Sequence, residues 1–194
     1  MKKFFATLLL CLFVTTSAFA AGNFSVNNQM REINAASVQT IKNLYAKYFD
    51  ARRVIGNCYG YVTLTSTAER NSSSALRGIG VGVAYNNKTG ERHFVRMAPK
   101  SALARNRLNN YELVFIIYDS KAWENFLAGK TRFIGENTTM NLDDNSTFVI
   151  SNIEGMKWVA KDVFVFQVGK EISDIGAALQ DMKITQIQTT SLRR

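Results

Sequence analysis

Few residues in this chain have the type and spacing to do chemistry, and the familiar constellations are incomplete. There is one histidine, His93, and beyond Cys11 near the start the only cysteine is Cys58. A structural zinc site needs several imidazole, thiolate or carboxylate ligands, so this composition speaks against one. His93 stands beside Phe94 in a stretch that reads as strand, which suits a structural or surface histidine better than a general base. No Gly-x-Ser-x-Gly elbow places a serine nucleophile. Gly78-x-Gly80-x-Gly82 has the look of a dinucleotide loop, but the third glycine falls at the wrong interval and a turn follows where a helix is required. Asp143-Asp144 lacks the alternating oxygen ligands and closing glutamate of a calcium loop and reads as a turn. The expectation is a protein with no catalytic residue, no metal and no cofactor.

The cations carry more information. Between Arg92 and Asn110 lie Arg92, Arg96, Lys100, Arg105 and Arg107 without an acid among them, and the second half, interrupted by Pro99, reads as an exposed basic loop, either a solvated face or a set of cations that together bind an anionic lipid surface. A second group surrounds an apolar pattern near the start. From about Val26 to Arg53, Ile33, Ser37, Ile41, Leu44, Tyr45, Tyr48 and Phe49 recur at three- and four-residue steps, the period of an amphipathic helix. At ~100° per residue they share an arc of about 160°. Lys42 and Lys47 lie just outside its edges, and Arg52 and Arg53 follow its end. This pattern fits a helix packed on a sheet with its lysines in water. That is the ordinary reading of a moderate apolar arc; the alternative is a membrane-surface helix whose lysines snorkel to anionic headgroups, where each cation is worth about 1 kcal/mol.

The elements that must position these groups begin after a leader. Lys2 and Lys3 precede an apolar stretch from Phe4 to Val14, and Ala18-Phe19-Ala20 offers small residues at the first and third positions before a cut. This is the pattern of a secretory signal cleaved after Ala20, with an apolar stretch too short to span a bilayer. Export to the periplasm or beyond is therefore expected, with residues 21–194 forming one domain. Taking away the two leader lysines lowers the formal net charge from +9 to +7. A domain of this length buries about two thirds of its unfolded surface without staples. Cys58 then has no intramolecular partner and reads as a small buried apolar residue.

After the helix, Asn57 to Thr65 is rich in aromatic and β-branched residues and reads as a strand. Gly78 to Val83 puts three glycines on one face of a strand and three aliphatics on the other. Such a face admits something large, either an aromatic chain or helix of the same fold or a ligand such as an acyl chain. Asn86 to Gly90 turns this strand into Glu91 to Met97, a hairpin. Leu113 to Tyr118 is continuously apolar, a strand covered on both faces. Asp119 or Ser120 caps a short helix from Lys121 to Ala128, buried through Trp123, Phe126 and Leu127 and stopped by Gly129. Phe133 to Gly135, Thr147 to Ile150, Val163 to Val168 and Lys183 to Ile187 read as further strands. The class is α+β: a curved, largely antiparallel sheet or partial barrel packed with an N-terminal amphipathic helix and one short helix.

Lys161 to Phe166, Ile175 to Leu179 and Lys183 to Thr185 resemble the closing strands of the SYLF lipid-binding domain family, whose bacterial members are often exported. Gly78 to Val83, and Leu113 to Gly135 with its Trp-containing helix and Phe-Ile-Gly, are similar as well. The likeness spans about residues 35 to 187. It departs from the family after Met97, where Ala98-Pro99-Lys100-Ser101 and the arginine-rich loop replace a tryptophan-serine-proline and glycine-rich run. The resemblance implies a non-enzymatic module that binds phospholipid, with Lys42, Lys47, Arg52 and Arg53 at the headgroups. The expected partner is thus an anionic phospholipid or membrane surface. Export removes nucleic acid from the plausible partners of a basic domain. An envelope protein docked on the sheet, or a hydrolase with an unrecognised site around His93, are the alternatives.

Overall fold

A computed structural model describes residues 27–66, 79–101, 108, 110–135 and 153–187. Within them, seven strands form one curled, antiparallel half-barrel sheet, and four helices pack on it. The strands are β1 (Gly60–Ser66), β2 (Gly80–Asn86), β3 (Arg92–Pro99), β4 (Glu112–Ile117), β5 (Met156–Ala160), β6 (Val163–Gln167) and β7 (Met182–Gln186), in the spatial order β5-β6-β4-β1-β2-β3-β7. The helices are α1 (27–47), α2 (Ala51–Asn57), α3 (Ser120–Leu127) and α4 (Ile175–Gln180). The α+β class with a curved antiparallel sheet holds. The expected pair of helices does not, because α2 and α4 are too short to show a helical period in the sequence. The leader pattern, Thr147 to Ile150 and Asp143-Asp144 lie outside the described residues.

Alternation along each strand divides the molecule into two apolar layers. Leu113, Phe115 and Ile117 of β4 join Val62, Leu64, Val163 and Val165 beneath α3 and α4, where Trp123, Phe126, Leu127, Ile175 and Leu179 complete a core. Val114 and Ile116 point the other way and meet Phe164, Phe166, Leu44, Tyr48, Val54 and Ile55 beneath α1 and α2. The continuous apolar run of β4 is thus covered on both faces, and β6, its neighbour, is buried from end to end.

The local signals behave as their chemistry requires. The Asp119 carboxylate accepts the Ala122 amide at 3.0 Å and starts α3, and Gly129 follows the helix with φ 68°. Asp174 does the same for α4 through the Ala177 amide at 2.8 Å. In the β2–β3 turn the buried Asn86 carboxamide oxygen accepts the Lys88 and Thr89 amides at 2.8 and 3.2 Å. Phe133 to Gly135 is not a strand, although the Ile134 amide bonds the Val159 carbonyl at 2.9 Å along β5.

The glycine face is filled by the protein itself. A Cβ at Gly80 would run into the Tyr111 ring, and one at Gly82 into the backbone of Thr63. Tyr111 is buried in the larger core, so the bulky neighbour is an aromatic of the same fold. Gly78 lies outside the described residues.

Candidate functional site

The helix expected as one piece from Val26 to Arg53 breaks in two at residues 48–50. The cause is the fixing of Tyr48. Its ring meets Phe166 with centroids 5.2 Å apart, and its hydroxyl donates to the Gln167 carbonyl at 3.2 Å. The Lys47 ammonium donates to the same carbonyl at 3.0 Å, so the end of α1 is pinned to the end of β6. The chain then reverses its buried side, and Ala51, Val54 and Ile55 of α2 take over the contact with the sheet. Phe49, placed on the apolar arc by periodicity, is instead carried to the outside of the turn and is 98% exposed. That is a correction to the helical reading: periodicity assumes an unbroken helix, and the anchor at Tyr48 breaks it.

Cations surround this exposed ring in sequence. Lys42 is exposed on α1. The Arg53 guanidinium pairs with Asp50 at 3.0 Å, an exposed pair of little energetic consequence. Arg52 lies over the Tyr45 ring at 4.6 Å. Lys47 differs from the other three because its ammonium is held by the Gln167 carbonyl at the end of β6 and lies over the Tyr48 ring at 5.2 Å.

A second feature lies where α1 and the end of α2 meet the sheet face formed by β1, β2 and β3. Here a groove of about 520 Å³ is lined by Asn34, Ser37, Tyr61, Tyr85, Asn87 and Arg92, with Val38, Ile55, Gly56 and Val83 supplying its apolar parts. Tyr61 and Tyr85 face each other across the β1–β2 ladder with ring centroids 5.5 Å apart, and Arg92 lies over the Tyr85 ring at 5.4 Å. Burial raises the Tyr61 pKa, the neighbouring Tyr45 and Tyr85 add to the rise, and Arg92 opposes it. Tyr61 therefore remains a protonated donor. The wall is held by Asn87, whose amide donates to the Ile55 and Cys58 carbonyls at 2.6 and 3.1 Å. Cys58 is fully buried, its thiol donating to the Ile55 carbonyl at 3.2 Å, and burial pushes its pKa up to about 12.

The two basic groups of the sequence are thus dealt out differently. Arg92 and Arg96 stand two pleats apart on the same face of β3, and both are exposed. Lys100 is turned to the Gln180 carbonyl at 2.6 Å, closing the end of α4. Arg105 and Arg107 lie outside the described residues. His93 sits on the opposite face of β3 from Arg92, paired with Ala84, and no group of three or more metal-ligating side chains occurs among the described residues. Tyr61, Tyr85 and Asn87 were not singled out as site residues from sequence. Their signal was the alternation Tyr59-Gly60-Tyr61 and the asparagine pair at the hairpin, which speak for strand and turn and say nothing of what covers the strand.

No protein-family model matches the chain, and no curated protein matches it. Among the described residues no helix is long and apolar enough to cross a membrane.

Proposed function

We propose that this is an exported protein, periplasmic or secreted, that binds an anionic membrane surface without catalysing a reaction. The observation that carries the reading is Phe49, 98% exposed at the turn between α1 and α2 with Lys42, Arg52 and Arg53 close to it in sequence. A fully exposed phenylalanine costs the free protein solvation that an acyl boundary relieves, about 2 kcal/mol when the ring is buried. Each cation beside anionic headgroups adds about 1 kcal/mol. Together they supply on the order of 5 kcal/mol, a dissociation constant between millimolar and micromolar, which is reversible peripheral attachment. The Arg53–Asp50 pair does not prevent this, since exposed pairs hold their partners by less than about 1 kcal/mol. The SYLF resemblance supports the same direction. The filled glycine face favours contact at the surface over uptake of an acyl chain.

Flotation of the mature protein with vesicles tests it. Equimolar phosphatidylglycerol and phosphatidylcholine should carry the protein upward, phosphatidylcholine alone should not, and added salt should weaken the attachment. Phe49→Ala should reduce the floated fraction severalfold, as should Arg52→Gln combined with Arg53→Gln. Equal flotation on neutral and anionic vesicles, or none on either, sinks the proposal.

A further inference from the structure

We propose that the groove between α1 and the β1–β3 face is a binding site for a small phosphate ester, with Arg92 as its charge partner. The groove has one cation and no carboxylate in its lining. Its other polar groups are neutral and come from α1, β1, β2 and the β2–β3 turn, so that donors approach from several sides. That suits a tetrahedral anion with many acceptor lone pairs better than a flat carboxylate.

Arg92, Ser37, Tyr61 and Tyr85 are the groups a ligand would meet, whereas the Asn87 amide is already used on the Ile55 and Cys58 carbonyls. The Arg92 guanidinium carbon lies 5.4 Å from the centre of the Tyr85 ring, and no carboxylate among the described residues forms an ion pair with it. The Thr63 hydroxyl lies 2.7 Å from Ser37 Oγ and 3.3 Å from the Val83 carbonyl and accepts the Val83 amide at 3.2 Å, so when it donates to Ser37 the Ser37 proton can turn toward the groove. Among the described residues no protein group bonds the hydroxyls of Tyr61 and Tyr85. Burial and the flanking tyrosines keep Tyr61 protonated, as a donor to an anion must be. At about 520 Å³ the space holds well over ten waters at about 30 Å³ each, more than a phosphate alone needs, and Val38, Val83 and the tyrosine rings offer apolar surface to the organic remainder.

This site is independent of Phe49. The ester's source is either a soluble metabolite or the exposed headgroup of a phospholipid, and the two are separable by experiment. Isothermal titration of the mature protein with glycerol 3-phosphate should show saturable binding at one site, with glycerol giving none. Arg92→Gln should weaken that binding by about tenfold or more, the expected loss for a charge-assisted hydrogen bond. Tyr85→Phe should weaken it less. Phe49→Ala should leave it unchanged, which separates failure of the groove from failure of the membrane reading. If Arg92→Gln also lowers flotation on the anionic vesicles, the ester is a headgroup; if flotation is unaffected, it is soluble. Arg92 is exposed at the strand surface, and an unchanged thermal midpoint for Arg92→Gln shows that the fold is intact. Absence of saturable glycerol 3-phosphate binding, or equal affinity in wild type and Arg92→Gln, overturns the proposal.

Discussion

At the scale of single residues, the contrast between Phe49 and Cys58 is instructive. Both are apolar residues flanking α2, Phe49 before it and Cys58 at its C-terminal end, yet one is 98% exposed and the other fully buried. The exposed one is the residue on which the proposed membrane contact rests, and the buried one is withdrawn from chemistry. Burial favours the neutral thiol and pushes the Cys58 pKa from 9.0 up to about 12, opposed by hydrogen bonds with the Cys58 and Ile117 backbone and then by the Lys88 charge and the Asn87 amide. The thiolate is the reactive form, so native Cys58 should resist a disulfide-exchange reagent at pH 8 and react fully once denaturant is added. The same shift fixes a pH dependence. The unfolded chain loses this proton near its ordinary pKa while the folded chain keeps it, so above that point the unfolded state binds fewer protons and stability falls as pH rises. The stabilisation is complete below pH 9 and declines between there and about 12, at no more than about 1.4 kcal/mol per pH unit. Tyr118, whose pKa burial likewise raises to about 12, shifts the curve in the same direction. Chemical denaturation across this range should show a plateau and then a fall, the fall being shallower in Cys58→Ala. Stability that keeps rising above pH 9, or a thiol that reacts in the native state, would contradict the assignment.

At the scale of elements, α1 is two things in one helix. Residues 27–39 include none that is buried, whereas Thr40, Leu44 and Tyr48 are. The early part meets β1 through hydroxyls, Ser37 with Thr63 at 2.7 Å and Thr40 with Thr65 at 3.2 Å, and the Asn43 amide reaches Glu112 at 3.3 Å. Polar pairs of this kind contribute about 1 kcal/mol each, far less than a buried leucine. Hydrogen exchange should therefore show the amides of residues 31–38 opening well before those of residues 41–47, with those of β4 slowest. Equal protection along α1 would mean that its first turns are held by more than these contacts. This division explains what could be read from sequence. Repeats of three and four found α1, alternation and β-branched runs found β1, β2, β3, β4, β6 and β7, and an aspartate followed by a glycine found both ends of α3. What periodicity could not show was the break at Tyr48, because the bonds that cause it run to Gln167, more than a hundred positions away. The groove was hidden for the same reason. Tyr61, Tyr85 and Arg92 are ordinary strand residues until α1 is laid beside them, and only the fold does that.

At the scale of the whole molecule, one sheet holds two cores apart and together. β4 and β6 give alternate side chains to each, so Phe115 lies beneath α3 while Phe166 lies beneath α1. A strand that loses its packing on one face exposes backbone and neighbours on the other, and the two layers should consequently fail as one unit. Each layer carries its own reporter: Trp123 is in the first core, and Trp158 packs at the edge of the second. Trp158→Phe leaves fluorescence that follows the α3 layer, and Trp123→Phe leaves fluorescence that follows the α1 layer. Denaturant curves from the two variants, each corrected for its own loss of stability by far-ultraviolet circular dichroism, should coincide with the loss of secondary structure. Phe115→Ala and Phe166→Ala remove fully buried or nearly fully buried rings and should each cost about 3–5 kcal/mol, read out by both tryptophans. If Phe166→Ala shifted the Trp158 transition and left that of Trp123 in place, the α1–α2 layer would be a separable unit. The turn that carries Phe49 would then be free to leave the sheet on its own. The shared strands argue against that, since β4 and β6 give side chains to both layers and tie the α1–α2 turn to the rest of the domain.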